Sequence, residues 1–275
     1  MKRKVPYSRL IGRGLVYLAA ILIALWILIP IYLITIAAFS PRDVIYGWPK
    51  ALFPQSISVE TMRFFINSHG VLPSLRNSVI VALLTLAVSL VIGAPAGYGL
   101  ARYIFRGQDA FRIGILSTRA FPIVILSIPL AVTFRQWGLY DSLISVALLH
   151  TAMALPTTIL VTSSVFMGIS KELEEAATVF GCSRLQAFMR VALPLALPGL
   201  AASAIFTFVL SWNEVFAATI LTLFNRTLPA LLIVQLDAAP VVFRFAGGFF
   251  ILIPAILFMF FIRRYLFSLW GITLK

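Results

Sequence analysis

Apolar residues run almost without interruption through six stretches of the chain, at 15–38, 78–101, 112–134, 142–167, 196–223 and 242–266. Each reaches the roughly 20 residues that an α-helix needs to cross a bilayer. The pattern predicts an all-α polytopic membrane protein with six transmembrane helices. Lys2, Arg3, Lys4, Arg9 and Arg13 flank the first stretch. Its apolar run is longer than a signal peptide's and no small-residue cleavage site follows, so a retained helix is expected. The polar interruptions are 39–76, 168–195 and 224–241. The first holds Pro41, Pro49 and Pro54, with a short amphipathic stretch at 59–66 that Ser58 can cap. The organisation expected is a tail at 1–14, one transmembrane domain at 15–266 and a tail at 267–275.

Composition agrees with this pattern. The 275 residues are 61% hydrophobic and 11% charged, with a mean hydropathy of +1.03. A soluble domain is about half apolar and about a quarter charged. Net charge is +13, which in a soluble protein would suggest nucleic acid. Here the cations fall between apolar spans, so membrane topology accounts for them and no nucleic acid is expected. Twice as many lie on the N-terminal side of the membrane as on the other, which places both termini in the cytoplasm. One cysteine, Cys182, excludes an internal disulfide framework, and His69 and His150 are too few and too far apart to suggest zinc.

The internal loop at 168–195 carries the strongest local signal. Ser170 can cap a helix, with Glu172, Glu174 and Glu175 near its positive end. Leu173, Ala176, Ala177 and Phe180 recur at helical spacing and make one apolar face. Gly181 supplies a left-handed stop, and Ser183 with Gln186 forms a capping box that starts a second helix. A helix lying on lipid headgroups favours Lys and Arg. Three Glu against one Lys point instead to a protein partner.

Glu175, Ala176, Ala177 and Gly181, followed after nine intervening residues by Val191, Ala192, Leu193 and Pro194, resemble the signature of ABC importer permeases. Asn77 and Ser78, Tyr98, Ala101 and Arg102, Phe105, Gly107, Pro122, Pro129, Gly138, Leu139 and Asp141 fit the same pattern. Trp212, Asn213 and Glu214 resemble the Trp-Asn-acid element of carbohydrate-type, maltose-type second permeases. Phe180 departs from the family, which usually carries Asp there. The resemblance implies a bacterial inner-membrane subunit of an ATP-driven, binding-protein-dependent importer working by alternating access, with a carbohydrate as solute. It also implies a second homologous permease, two ATPase subunits and an external substrate-binding protein as partners. ATP and Mg would lie on the ATPase subunits, and no cofactor would be bound by this chain. Glu174, Glu175, Ala176, Ala177, Phe180, Gly181, Leu193 and Pro194 would form the ATPase-coupling element.

A phosphate loop needs Gly-Lys followed by Ser or Thr. The lysines, at 2, 4, 50, 171 and 275, are never preceded by Gly, so this chain is not the ATPase. Charges inside membrane spans are costly and mark function. Arg119 in the third span and Glu214 in the fifth either pair or each face a water-filled cavity. With Trp212 and Asn213 they supply the donors, acceptors and aromatic platform that suit a hydroxyl-rich solute, and these four residues form the candidate substrate pathway. His150 reads as a hydrogen-bonded packing residue. Trp48 and Trp270 suit interfacial anchors. The rival readings are an ion-coupled secondary carrier using Arg119 and Glu214, a membrane scaffold recruiting a cytosolic protein through residues 170–194, and an ABC importer for a non-carbohydrate solute.

Overall fold

A computed structural model describes residues 7–49, 52–54, 56–236 and 238–269. Lys2, Arg3, Lys4, Lys50, Lys275 and the expected anchor Trp270 lie outside these residues. The chain runs through α1 (Tyr7–Ala38), α2 (Arg42–Tyr46), α3 (Glu60–Asn67), α4 (Val71–Arg102) and α5 (Gln108–Ser117). A 3-10 turn, Thr118–Ala120, leads to α6 (Ile123–Gln136), α7 (Leu143–Met167), α8 (Lys171–Val179) and α9 (Arg184–Ala187). A π-helical turn, Phe188–Ala192, joins α9 to α10 (Leu193–Asn213), followed by α11 (Phe216–Leu221), α12 (Leu228–Val234) and α13 (Val241–Leu269). Among the described residues five helical segments are long and apolar enough to cross a membrane. The helical stretches Gln108–Ala120 and Ile123–Gln136, bent by 85° at the break between them, supply a sixth crossing if taken as one span.

Two expected spans are corrected. The third, 112–134, is not one helix: Pro122 takes the N-cap of α6 in extended conformation, and the backbone turns there. The fifth, 196–223, stops as a helix at Asn213. Its N-terminal end begins earlier than expected, because Arg184–Asn213 runs as one helical segment through the π turn. Hydropathy averages across such breaks, so neither was visible in the apolar run.

The chain divides into two compact units. The first joins residues 1–68 to 238–252. In it Phe65 is fully buried, with ring centroids 4.9 Å from Phe243 and 5.2 Å from Phe250, and Phe39 meets Phe249 edge-on at 5.0 Å. The expected short helix is present as α3, and the Ser58 hydroxyl accepts from the Glu60 amide at 3.2 Å. The apolar window of α1 has no residue buried within the chain, which in water would be prohibitive and in hydrocarbon costs nothing.

The second unit joins residues 69–237 to 253–275, and its centre is the packing of α4, α7 and α10. Helices in lipid gain no hydrophobic energy from association, so close backbone approach at small residues does the packing. Gly93 and Gly97 place α4 on the threonine face of α7. A Cβ on Gly97 would stand 2.8 Å from the Ser163 amide nitrogen and 2.9 Å from the Ile159 carbonyl oxygen. The Thr162 hydroxyl donates to the Gly93 carbonyl at 3.0 Å. Gly199 brings α10 against Val165 of α7 in the same way.

Gly97→Ala drives α4 from α7 and is expected to destabilise the fold by about 1–3 kcal/mol, the usual cost of overpacking. Gly99→Ala, with nothing within 4 Å of the added carbon, is expected to be neutral. Thermal unfolding of the two variants in the same detergent, alongside wild type, checks the contrast.

Candidate functional site

The helix–turn–helix at 170–194 forms as its sequence dictates. The Ser170 hydroxyl accepts from the Glu172 amide at 3.3 Å. Gly181 stands at φ +91°, the left-handed stop. The Ser183 hydroxyl accepts from the Gln186 amide at 3.3 Å while the Ser183 amide donates to the Gln186 side chain at 2.8 Å, closing the capping box.

The expected apolar face of α8 does not pack inward. Leu173, Ala176 and Phe180 are exposed, Phe180 by 89%, as are the neighbours Val179 and Leu185. Ala177 is half-buried, and Gly181, Leu193 and Pro194 lie in the turn and in α10. Glu175 is exposed. Glu174, expected to face a partner with Glu175, is instead the buried residue of α8. Its Oε1 accepts from Arg102 Nε at 2.7 Å and pairs with Arg102 Nη2 at 2.6 Å, and Tyr98 donates its hydroxyl to Oε2. Arg102 also donates to the carbonyls of Phe166 at 2.7 Å and Ile169 at 3.0 Å. Breaking one side of such a buried pair costs about 3–5 kcal/mol. The sequence singled out Tyr98 and Arg102 only as part of a resemblance. A tyrosine and an arginine one helical turn apart at the end of a span were the available signal.

The four pathway candidates do not converge. Trp212 is buried and stacks on Phe208 with centroids 5.9 Å apart, whereas Asn213 is exposed. Glu214 sits where α10 ends. Its carboxylate accepts from the amides of Ala217 at 2.9 Å and Ala218 at 3.1 Å, starting α11, and bonds His150 Nε2 at 3.0 Å. His150 Nδ1 meets the Ser211 hydroxyl at 2.9 Å, and that hydroxyl donates to Thr85 at 3.3 Å. His150 is thus a fully buried, hydrogen-bonded packing residue joining α4, α7 and α10. Glu214 and Arg119 do not pair. Arg119 lies on the exposed 3-10 turn at the bend, on the rim of a cleft of about 580 Å³ walled by Phe121, Leu126, Met153, Pro156 and Leu210.

At the other end of the molecule Asp141, at φ +58°, holds the loop after α11. Its Oδ1 accepts from the amides of Leu223, Phe224 and Asn225 at 2.8, 3.0 and 2.9 Å. Asn77 donates to the Arg226 carbonyl at 3.1 Å, and Ser78 accepts from the Leu228 amide at 2.7 Å. Phe224 is left 83% exposed on this braced loop. Among the described residues no three His, Cys, Asp or Glu side chains gather as metal ligands.

Residues 89–269 match the family model described as "Binding-protein-dependent transport system inner membrane component". The chain is 33% identical over 205 residues to the diacetylchitobiose uptake system permease protein DasC of Streptomyces coelicolor, covering 74% of each chain. It is 31% identical over 219 residues to the trehalose transport system permease protein SugB of Mycobacterium tuberculosis, covering 78% of this chain and 80% of that one. Its fold matches a chain from a bacterial ABC transporter involved in the import of the acidic polysaccharide alginate, with a TM-score of 0.75 and 22% identity, over 97% of this chain and all of the other.

Asp141→Ala removes the shared acceptor of three amides. Hydrogen exchange at residues 223–225 is expected to accelerate at least about tenfold, the equivalent of ~1.4 kcal/mol, with α7 and α10 unchanged. Unchanged exchange there would mean that Asp141 does not hold the loop.

Proposed function

The chain belongs to the binding-protein-dependent transport system inner membrane components, so it is the multi-pass permease of an ABC importer, and we propose that its solute is a carbohydrate. The named solutes of two relatives, diacetylchitobiose and trehalose, support that class. An ion-coupled carrier and a non-transporting scaffold are set aside by the family.

The remaining parts follow from the loop at 170–194, whose exposed acidic and apolar surface is the observation that carries the reading. Glu175, Ala176, Ala177, Phe180 and Gly181 present this surface outward, with Val179 and Leu185 beside them. An apolar surface this exposed at a helix–turn–helix suits docking into a cleft on a cytosolic protein. We assign that cleft to one of two ATPase subunits, which bind ATP and Mg and carry out the hydrolysis, while this chain holds no cofactor. A second, homologous permease and an external binding protein complete the complex. The loop lies in the cytoplasm, as do both termini, in keeping with the cation asymmetry. ATP-driven closure of the ATPases pushes α8, and the packed helices rock between outward and inward states. Arg119 and Asn213, the two exposed pathway candidates, face the solute, whereas Trp212 and Glu214 hold the α10–α11 break in shape.

Two experiments test this. Mild-detergent purification from the native host, with mass spectrometry, is expected to recover an ATPase and a second polytopic chain. A stable single chain active in uptake without ATP would overturn the reading. Proline cannot adopt the φ that Gly181 holds, and Glu175→Lys reverses the charge of the docking surface. Gly181→Pro and Glu175→Lys are therefore each expected to lower uptake at least about tenfold while the complex still hydrolyses ATP; normal uptake in both would refute the coupling role.

A further inference from the structure

Resting on the reading that α8 receives the ATPase's movement, we propose that Tyr98 and Arg102 are positioning residues for transport. They fasten α8 to α4 and α7 so that the three helices move as one body.

The geometry at this point has three parts. Both oxygens of the Glu174 carboxylate are taken, one by the Arg102 guanidinium and the other by the Tyr98 hydroxyl. The two guanidinium nitrogens converge on Oε1 while the Tyr98 hydroxyl holds Oε2, so the carboxylate is fixed at both oxygens and resists rotation. The same guanidinium reaches the carbonyls of Phe166 and Ile169. Phe166 is in the last turn of α7, where helix carbonyls lack intrahelical donors, and Ile169 is in the connection that leads to α8. Arg102 therefore ties the end of α4, the end of α7 and the start of α8 to one another.

The Tyr98 ring joins both ends of the cytoplasmic loop. Its centroid lies 5.3 Å from that of Phe166, before α8, and 4.6 Å from that of Phe188, after α9. Phe166 and Phe188 are themselves 5.9 Å apart. Elsewhere α8 packs on α9 and the π turn that follow it in the chain and makes few contacts with α4 or α7. Glu174 is its buried residue, Glu172, Glu175 and Val179 are exposed, and an added carbon at Gly181 would meet nothing within 4 Å. Without the clamp a push on α8 would turn it about the 168–170 connection instead of moving α4 and α7.

The test uses the full importer with its partner chains in lipid nanodiscs and a Cys182→Ser background. Spin labels are placed at Glu172→Cys on α8 and Val91→Cys on α4, both exposed positions. The inter-label distance is measured without nucleotide and after trapping with ATP and orthovanadate. With the clamp intact the distance is expected to agree between the two states to within about 3 Å, roughly half a helical turn. Arg102→Gln is expected to shift or broaden it on trapping, and Tyr98→Phe, which removes only the hydroxyl, to do so less. If Arg102→Gln fails to assemble, Glu174→Gln keeps the side-chain shape, removes the charge and takes its place. A larger change with the clamp intact would mean that α8 moves alone, and an unchanged distance in the clamp variants would mean that other contacts do the fastening. Either result overturns the proposal. If the intact complex traps no vanadate, the ATP-driven reading itself fails, and this inference fails with it.

Discussion

Gly93 and Gly97 let the backbone of α4 lie directly on the threonine face of α7, and the other elements of the larger unit are placed from that crossing. Hydrocarbon solvates leucine as well as a protein core does, so burying apolar side chains gives no net force between helices in a bilayer. What remains is close packing and the satisfaction of polar groups. The crossing supplies the first and creates demand for the second. Thr162 finds its partner across it, and Ser211 of α10 joins Thr85 of α4 to His150 of α7 beside it. Further along the same pair of helices, toward the C-terminal end of α4, Arg102 reaches the end of α7 because α4 already runs alongside it.

Glycines and polar residues thus divide the work along α4. Its glycines set the separation from α7, its middle hydroxyls enter the buried network beneath the α10–α11 break, and Tyr98 and Arg102 at its end meet the loop. Each group is aimed at a partner far away in sequence, which is how a span that reads as uniformly apolar carries three different connections.

The features that local chemistry decides were legible in the sequence. Six apolar crossings, the Ser170 cap, the left-handed Gly181 and the Ser183–Gln186 box each depend on a few neighbouring residues. The features set by distant partners were not. The excess of Glu over Lys in α8 and the family resemblance set Glu174 beside Glu175 as a partner-facing residue, but its inward direction is set by Arg102, 72 residues earlier. The break at Glu214 was hidden because that carboxylate caps a new helix within an unbroken apolar run. As charged residues in spans, Arg119 and Glu214 are expected either to pair or each to face a cavity, yet a 3-10 turn holds one and His150 engages the other.

The π turn at Phe188–Ala192 has a geometric effect on the exposed surface of the helix–turn–helix. A π turn accommodates one residue more than an α turn, and one residue is about 100° of helical rotation. The azimuth of the Arg184–Asn213 helix therefore changes abruptly at that point. Gly199 is free to point at Val165 while Leu185, at the other end of the same helix, points at solvent. The extra residue decouples the exposed helix–turn–helix from the rest of the span, so sequence drift in one need not be matched by drift in the packing of α10 on α7.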